Sequence, residues 1–322
     1  PLAPYIQANK VIIAADDVLY GFPFEALVTK IPGIIEYKNI GHSSESLALK
    51  ALSGKVPLFY EYSQMRYLGN IYSFSYIPSA STLNVLRGVL KKESIGGEGV
   101  IAFADPIFSE LKVADNKKKS WPPERLPETA EEAEIFMKQI GKGKIYTGLD
   151  ASEENIWKAN LGKAKYILFS THGFLANENE NVAEPALVLT LINNPPKYDG
   201  LLGMTEAVGL KLNSDVVILS ACSSAGESGK GGEGFAGMAR SFLFAGSQAV
   251  VACHWPVETK ATKMLIENYG KYLKTKSRLE ALEEARNVVK NSSVEYGKGK
   301  RKINVSYAHP YFWASFVLLG ER

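Results

Sequence analysis

Tyr166-Ile167-Leu168-Phe169 runs straight into Ser170-Thr171-His172-Gly173, and Val216-Val217-Ile218-Leu219 runs into Ser220-Ala221-Cys222-Ser223. Short apolar runs of this kind read as strands buried on both faces, the habit of a parallel α/β sheet. The carboxyl ends of the strands in such a sheet form its ligand-binding edge. A histidine and a cysteine that each follow a strand end therefore meet on one edge. Thiol catalysis needs this juxtaposition, because the imidazole must lie within hydrogen-bond reach of the sulfur. A free thiol titrates near about 8.5 and is weakly ionised at neutral pH without such help. Gly173 lets a backbone N–H approach a substrate oxygen closely. Together with the N–H of Cys222 it can form an oxyanion hole.

The pattern continues outward from these two runs. Ala186-Leu187-Val188-Leu189 and Ala249-Val250-Val251-Ala252 also read as buried strands. Helices fall between or after them, at about 203–210, 234–246, 257–274 and 278–291. Glu128 to Ile140 reads as an amphipathic helix with Ala133, Phe136, Met137 and Ile140 on one face. Ser152-Glu153-Glu154 opens another, with its acids in the first turn. Nearer the N-terminus, Val11 to Ala15 reads as a strand, Val56 to Tyr62 as a second apolar run, and Ser81 to Leu90 as a helix. Gly99 to Ala104 reads as another strand, ended by Asp105-Pro106. Between these halves, Lys117-Lys118-Lys119-Ser120-Trp121-Pro122-Pro123 reads as a surface linker. It places a domain boundary near residue 120, with residues 1–120 before it and 121–322 after it.

Composition excludes several classes. The 322 residues are 46% hydrophobic and 22% charged, which rules out a mainly disordered chain. A net charge of +3 gives no argument for nucleic acid as a partner. The two cysteines, Cys222 and Cys253, exclude a disulfide scaffold and a four-cysteine zinc site. The histidines (His42, His172, His254, His309) fall in no familiar ligand spacing, so no metal is expected. No apolar run approaches the roughly 20 residues that span a bilayer, and no signal peptide is visible. A cytoplasmic protein without membrane contact is expected. The chain starts at Pro1, which suggests processing or a piece of something longer.

Gly232-Glu233-Gly234-Phe235-Ala236-Gly237 fits the dinucleotide-binding glycine pattern. That pattern must directly follow a strand, and here a loop intervenes after Leu219, so a nucleotide cofactor is not expected. The glycine-rich stretch reads instead as a loop, Ser223 to Glu233, running into a helix. Cys253-His254 ends the next strand, but adjacent side chains on a strand point to opposite faces and make a poor dyad.

The two motifs resemble the histidine and cysteine motifs of the CHAT family. Its members are caspase-like domains, related more distantly to separase and commonly attached to tetratricopeptide repeats. The likeness extends through Asp199-Gly200-Leu201-Leu202, Gly232-Glu233-Gly234-Phe235, His254-Trp255-Pro256-Val257 and His309-Pro310-Tyr311-Phe312-Trp313. Upstream it includes Phe22-Pro23-Phe24-Glu25-Ala26-Leu27 and Tyr76-Ile77-Pro78-Ser79. The resemblance implies a caspase-like α/β sheet with flanking helices, preceded by a degenerate pseudo-caspase-like α/β domain. It implies a cysteine endopeptidase acting on a protein substrate, with Cys222 as nucleophile and His172 as base and acid, needing no cofactor. The imidazole is then oriented by a backbone carbonyl or a water. By the same resemblance the strand end at Cys253-His254 and Trp255 to Glu258 border the substrate groove, and Trp255 and Phe235 are candidates to line its P1 pocket. Asp199, Glu206, Glu233 and Glu258 are candidate acids for a P1 pocket. A regulatory partner, such as a tetratricopeptide-repeat module, is expected in a bacterial signalling or defence setting. The competing expectation is a catalytically silent interaction module.

Overall fold

A computed structural model describes residues 8–15, 19, 22–31, 57–88, 97–109, 121–178, 180–221, 231–298 and 301–320. Its centre is an eight-stranded sheet. In spatial order the strands are Lys10–Ala14, Ser73–Ile77, Phe316–Gly320, Ala249–Cys253, Val216–Ser220, Tyr166–Ser170, Val100–Pro106 and Gly143–Gly148. Only the pairing of Ala249–Cys253 with Phe316–Gly320 is antiparallel; the others are parallel.

Alternation along the central strands divides the core in two. Val100, Ala102, Leu168, Val216, Ile218 and Val251 pack on one side against Phe136, Leu265, Tyr269 and Leu282 of the helices Glu128–Ile140, Thr259–Tyr272 and Arg278–Lys290. Phe103, Ile167, Phe169, Val217, Leu219 and Val250 face the other way, toward Ile156, Ala207, Met238 and Phe242. Burial on both faces is what forces the near-continuous apolar runs seen in the sequence. The mixed α/β class and flanking helices therefore match the expectation.

Three strands from before residue 120 belong to this same sheet. Val100–Pro106 lies between Tyr166–Ser170 and Gly143–Gly148, and Ser73–Ile77 pairs with Phe316–Gly320. The boundary near residue 120 thus does not separate two sheets. A buried ion pair reinforces the join. Arg286, on the helix Arg278–Lys290, meets Glu25 and also donates to the Phe316 carbonyl. The Tyr76 hydroxyl donates to the other Glu25 oxygen at 2.6 Å. Ala186–Val188 is a buried strand, as the sequence predicts, but outside the main sheet. It pairs antiparallel with Leu201–Gly203 and Gly173–Phe174 in a separate three-stranded sheet, rather than joining the main one.

Candidate active site

Ser170 pairs with Ser220 in parallel register, so the two motif-bearing strands end level with each other. His172 follows one end by two residues, and Ala221 follows the other directly. A Cβ placed on Gly173 would lie 3.5 Å from the Ala221 carbonyl oxygen. Gly173 and Ala221 are therefore neighbours at the carboxyl edge. Cys222 itself lies outside the described residues.

His172 is half-buried between the rings of Phe108 and Phe174, at centroid distances of 5.5 and 6.4 Å. Its Nε2 lies 2.6 Å from the backbone carbonyl oxygen of Glu124. A carbonyl can only accept, so Nε2 carries the proton and Nδ1 is the basic nitrogen. Burial pushes the imidazole below its ordinary pKa of 6.5, and the Glu124 carbonyl works against that shift. The downward shift favours the neutral ring, the form able to take a proton.

Glu124, the residue just beyond the segment read from sequence as a linker, supplies this carbonyl. Arg125 forks onto Asp105, Nε to Oδ1 and Nη2 to Oδ2, both at 2.7 Å. The Asp105 N–H in turn donates to Thr129 Oγ1 at 2.8 Å. Asp105 takes a left-handed backbone, φ 49°, which Asp and Asn adopt at least cost. The fork fixes residue 125, and hence the carbonyl next to it. Asp105→Asn keeps that backbone preference but weakens the charge-assisted fork. Expected is about a tenfold loss in kcat with KM little changed, since a small misplacement of a catalytic group is felt in turnover. Unchanged kcat would detach the fork from the site.

Beneath the two strand ends lies Glu132, of the helix Glu128–Ile140. Its Oε2 accepts from Ser170 Oγ at 2.6 Å and from Ser220 Oγ at 3.0 Å. Burial pushes this carboxyl up to about 7, against the pull of the two serine hydroxyls and Lys263. Asp105, Glu124, Arg125 and Glu132 are not among the site residues the sequence predicts. A signal existed for Glu132 alone: it stands four residues before Phe136, on the apolar stripe of its helix.

The remaining predicted residues are mostly engaged elsewhere. Glu258 caps the helix Thr259–Tyr272, accepting from the Ala261 N–H at 2.9 Å and the Tyr307 hydroxyl at 2.7 Å. Burial works to raise its pKa, but bonds from Tyr307, Tyr296 and the backbone outweigh it and hold the carboxyl below its usual range. Glu206 accepts from the Gly203 N–H at the start of the helix Met204–Val208. These two carboxylates serve helix N-termini. Asp199 is exposed and accepts from the Leu201 N–H at 2.8 Å. Trp255 donates from Nε1 to the Tyr311 carbonyl. Glu233 and Phe235 fall on the helix Gly231–Phe244, with their side chains outside the described set. Cys253 is fully buried, its sulfur 2.9 Å from the Trp255 carbonyl, and His254 is held down to about 3, chiefly by burial. His309 caps the helix Pro310–Trp313, and His42 lies outside the described residues. Among the described residues no three His, Cys, Asp or Glu gather as a metal site, and no helix is long and apolar enough to cross a membrane.

A mostly parallel eight-stranded sheet with helices on both faces defines the fold class. The chain matches the CHAT domain profile over residues 1–321, and it belongs to that family. It is 26% identical over 290 residues to human tetratricopeptide repeat protein 28, covering 80% of this chain and 11% of that protein. The mouse protein of the same name is 30% identical over 153 residues, covering 47% of this chain and 6% of its own length. The chain therefore spans a small fraction of these curated relatives. Two crystal structures of the Saccharomyces cerevisiae separase–securin complex, at 3.0 and 2.6 Å resolution, align with 79% of this chain and 14% of theirs. Both give a TM-score of 0.46, at 15% and 14% identity.

Proposed function

We propose that the chain is a caspase-like cysteine endopeptidase in which Cys222 is the nucleophile and His172 the base and acid. The observation that carries this reading is the placement of the imidazole: held at Nε2 by the Glu124 carbonyl, and standing beyond a strand end level with the one that leads to Cys222. In this reading Nδ1 takes the thiol proton and the thiolate attacks the scissile carbonyl carbon. The N–H groups of Gly173 and Cys222 stabilise the resulting oxyanion. The imidazolium then returns its proton to the departing amine, leaving a thioester. Water, deprotonated by the same nitrogen, hydrolyses the thioester and restores the thiol. No metal or organic cofactor takes part.

The substrate is a protein, cut under the control of an upstream or partner module. The tetratricopeptide repeats named in the relatives supply the model for that partner. The protein acts in the cytoplasm, in a signalling role. Asp199 and Glu233 remain the acids available to a P1 side chain, with Trp255 and Phe235 as groove walls. One charge-assisted contact contributes about 1.5–3 kcal/mol, or roughly ten- to hundredfold in discrimination. Lys or Arg at P1 is therefore expected over Asp in a P1-scanned peptide library. Preference for Asp would contradict an acidic pocket, and preference for Met or Leu would assign it to the aromatic walls.

An electrophilic peptide probe tests the chemistry. Peptide mapping should find the probe on Cys222, absent from Cys253, and lost in His172→Ala. Labelling of Cys222 that ignores His172, or none at all, would favour the silent interaction module.

A further inference from the structure

Glu132 occupies a place where a carboxyl is costly. It is 3% exposed, and its helix packs on Val100–Pro106, Gly143–Gly148 and Tyr166–Ser170. An apolar side chain there would avoid the desolvation penalty that a buried acid carries. What an apolar side chain cannot do is accept two hydrogen bonds. Both serine hydroxyls converge on the same oxygen, Oε2. Each serine is the last residue of its strand, and the two are direct register partners. Beyond Ser170 the chain turns into Thr171, whose hydroxyl donates to the Val188 carbonyl at 2.5 Å, and then His172. Beyond Ser220 it turns into Ala221.

We propose that Glu132 is a positioning residue: it ties the last hydroxyl of one strand to the last hydroxyl of its neighbour and so sets where His172 stands relative to the chain leaving Ala221. It touches no substrate. It acts through Ser170 on the imidazole and through Ser220 on the backbone at Ala221. This inference rests on the dyad reading for its consequence in catalysis, but its claim about His172 stands apart from it.

Three variants separate the roles. Glu132→Ala removes both bonds. Glu132→Gln keeps a carbonyl oxygen with two lone pairs, able to accept from both hydroxyls without charge. Ser170→Ala combined with Ser220→Ala removes the donors and leaves the helix intact, which covers the case in which Glu132→Ala fails to fold. The first readout is the rate at which iodoacetamide alkylates Cys222 at about pH 6, where only a thiolate stabilised by an imidazolium remains reactive. Glu132→Ala and the serine double variant should lose at least about tenfold, as expected for a misplaced pair. Glu132→Gln should recover to within about threefold of the wild type, on the same geometric argument. The second readout is the proton NMR signal of the His172 Nε2–H, assigned by its loss in His172→Ala. It should shift or broaden in Glu132→Ala and in the serine double variant, and hold in Glu132→Gln.

His172→Ala keeps the two claims apart. If it alkylates like the wild type, the dyad reading fails, and the NMR signal alone then judges Glu132. An unshifted His172 signal in a folded Glu132→Ala or in the serine double variant would overturn the proposal. So would Glu132→Gln falling as far as Glu132→Ala, because the charge rather than the acceptor would then matter.

Discussion

Cys222→Ala and His172→Ala should each lower peptidase turnover at least about a thousandfold, since members of a catalytic unit fail together rather than additively. Without the imidazole the thiol returns toward its ordinary titration near about 8.5, and the departing amine has no acid to protonate it. Without the sulfur there is no acyl acceptor. Stability should respond far less. His172 is half-buried at the sheet edge, packed against Phe108 and Phe174, so its loss falls in the range of about 1 kcal/mol typical of substitutions outside the core. A loss of activity accompanied by collapse of the melting transition would mean that these side chains serve the fold. Turnover and melting curves on the same preparations decide between the two outcomes.

The largest stability effect is expected far from that edge, at Arg286. This guanidinium is 4% exposed and Glu25 is 2% exposed, and the pair joins the N-terminal segment Phe24–Ala26 to the helix Arg278–Lys290. Removing one partner of a buried pair strands the other charge and costs about 3–5 kcal/mol. Arg286→Met should therefore lower the urea unfolding free energy by about that amount. Glu25→Met combined with Arg286→Met should recover a large part of it, with a coupling energy of at least about 1 kcal/mol in the double-mutant cycle. Because Glu25 and Arg286 lie on either side of residue 120, one unfolding transition is expected rather than two. Strictly additive effects, or a separate transition for the N-terminal strands, would contradict the single-sheet account.

The central strands were legible in the sequence because burial on both faces forces unbroken apolar runs. Tyr166–Ser170, Val216–Ser220 and Ala249–Cys253 needed no alternation to be seen. The helix Glu128–Ile140 was legible to the residue, and so was the start of the helix Glu153–Lys158 with its acids in the first turn. Gly143–Gly148 was not. It sits at the edge of the sheet with an exposed start, and Lys-Ile-Tyr-Thr offers no run long enough to separate from a loop. Nor could sequence show that strands before residue 120 complete the sheet, because partners are chosen by tertiary packing. The Lys and Pro content of residues 117–123 carried the signal of a linker, while a carbonyl just beyond it holds the imidazole. A backbone atom leaves no mark in a residue pattern. The two strand ends that lead to His172 and Cys222 were readable because a buried strand and its end are local features. The supporting Asp105, Arg125 and Glu132 are brought to the edge only by the fold.

The most direct test of the central claim is the mapping of new N-termini in a peptide pool incubated with the purified chain and with Cys222→Ala. The account predicts new N-termini, clustered after one class of P1 residue, in the wild type and none above background in Cys222→Ala. The same cuts at comparable yield in Cys222→Ala would contradict it.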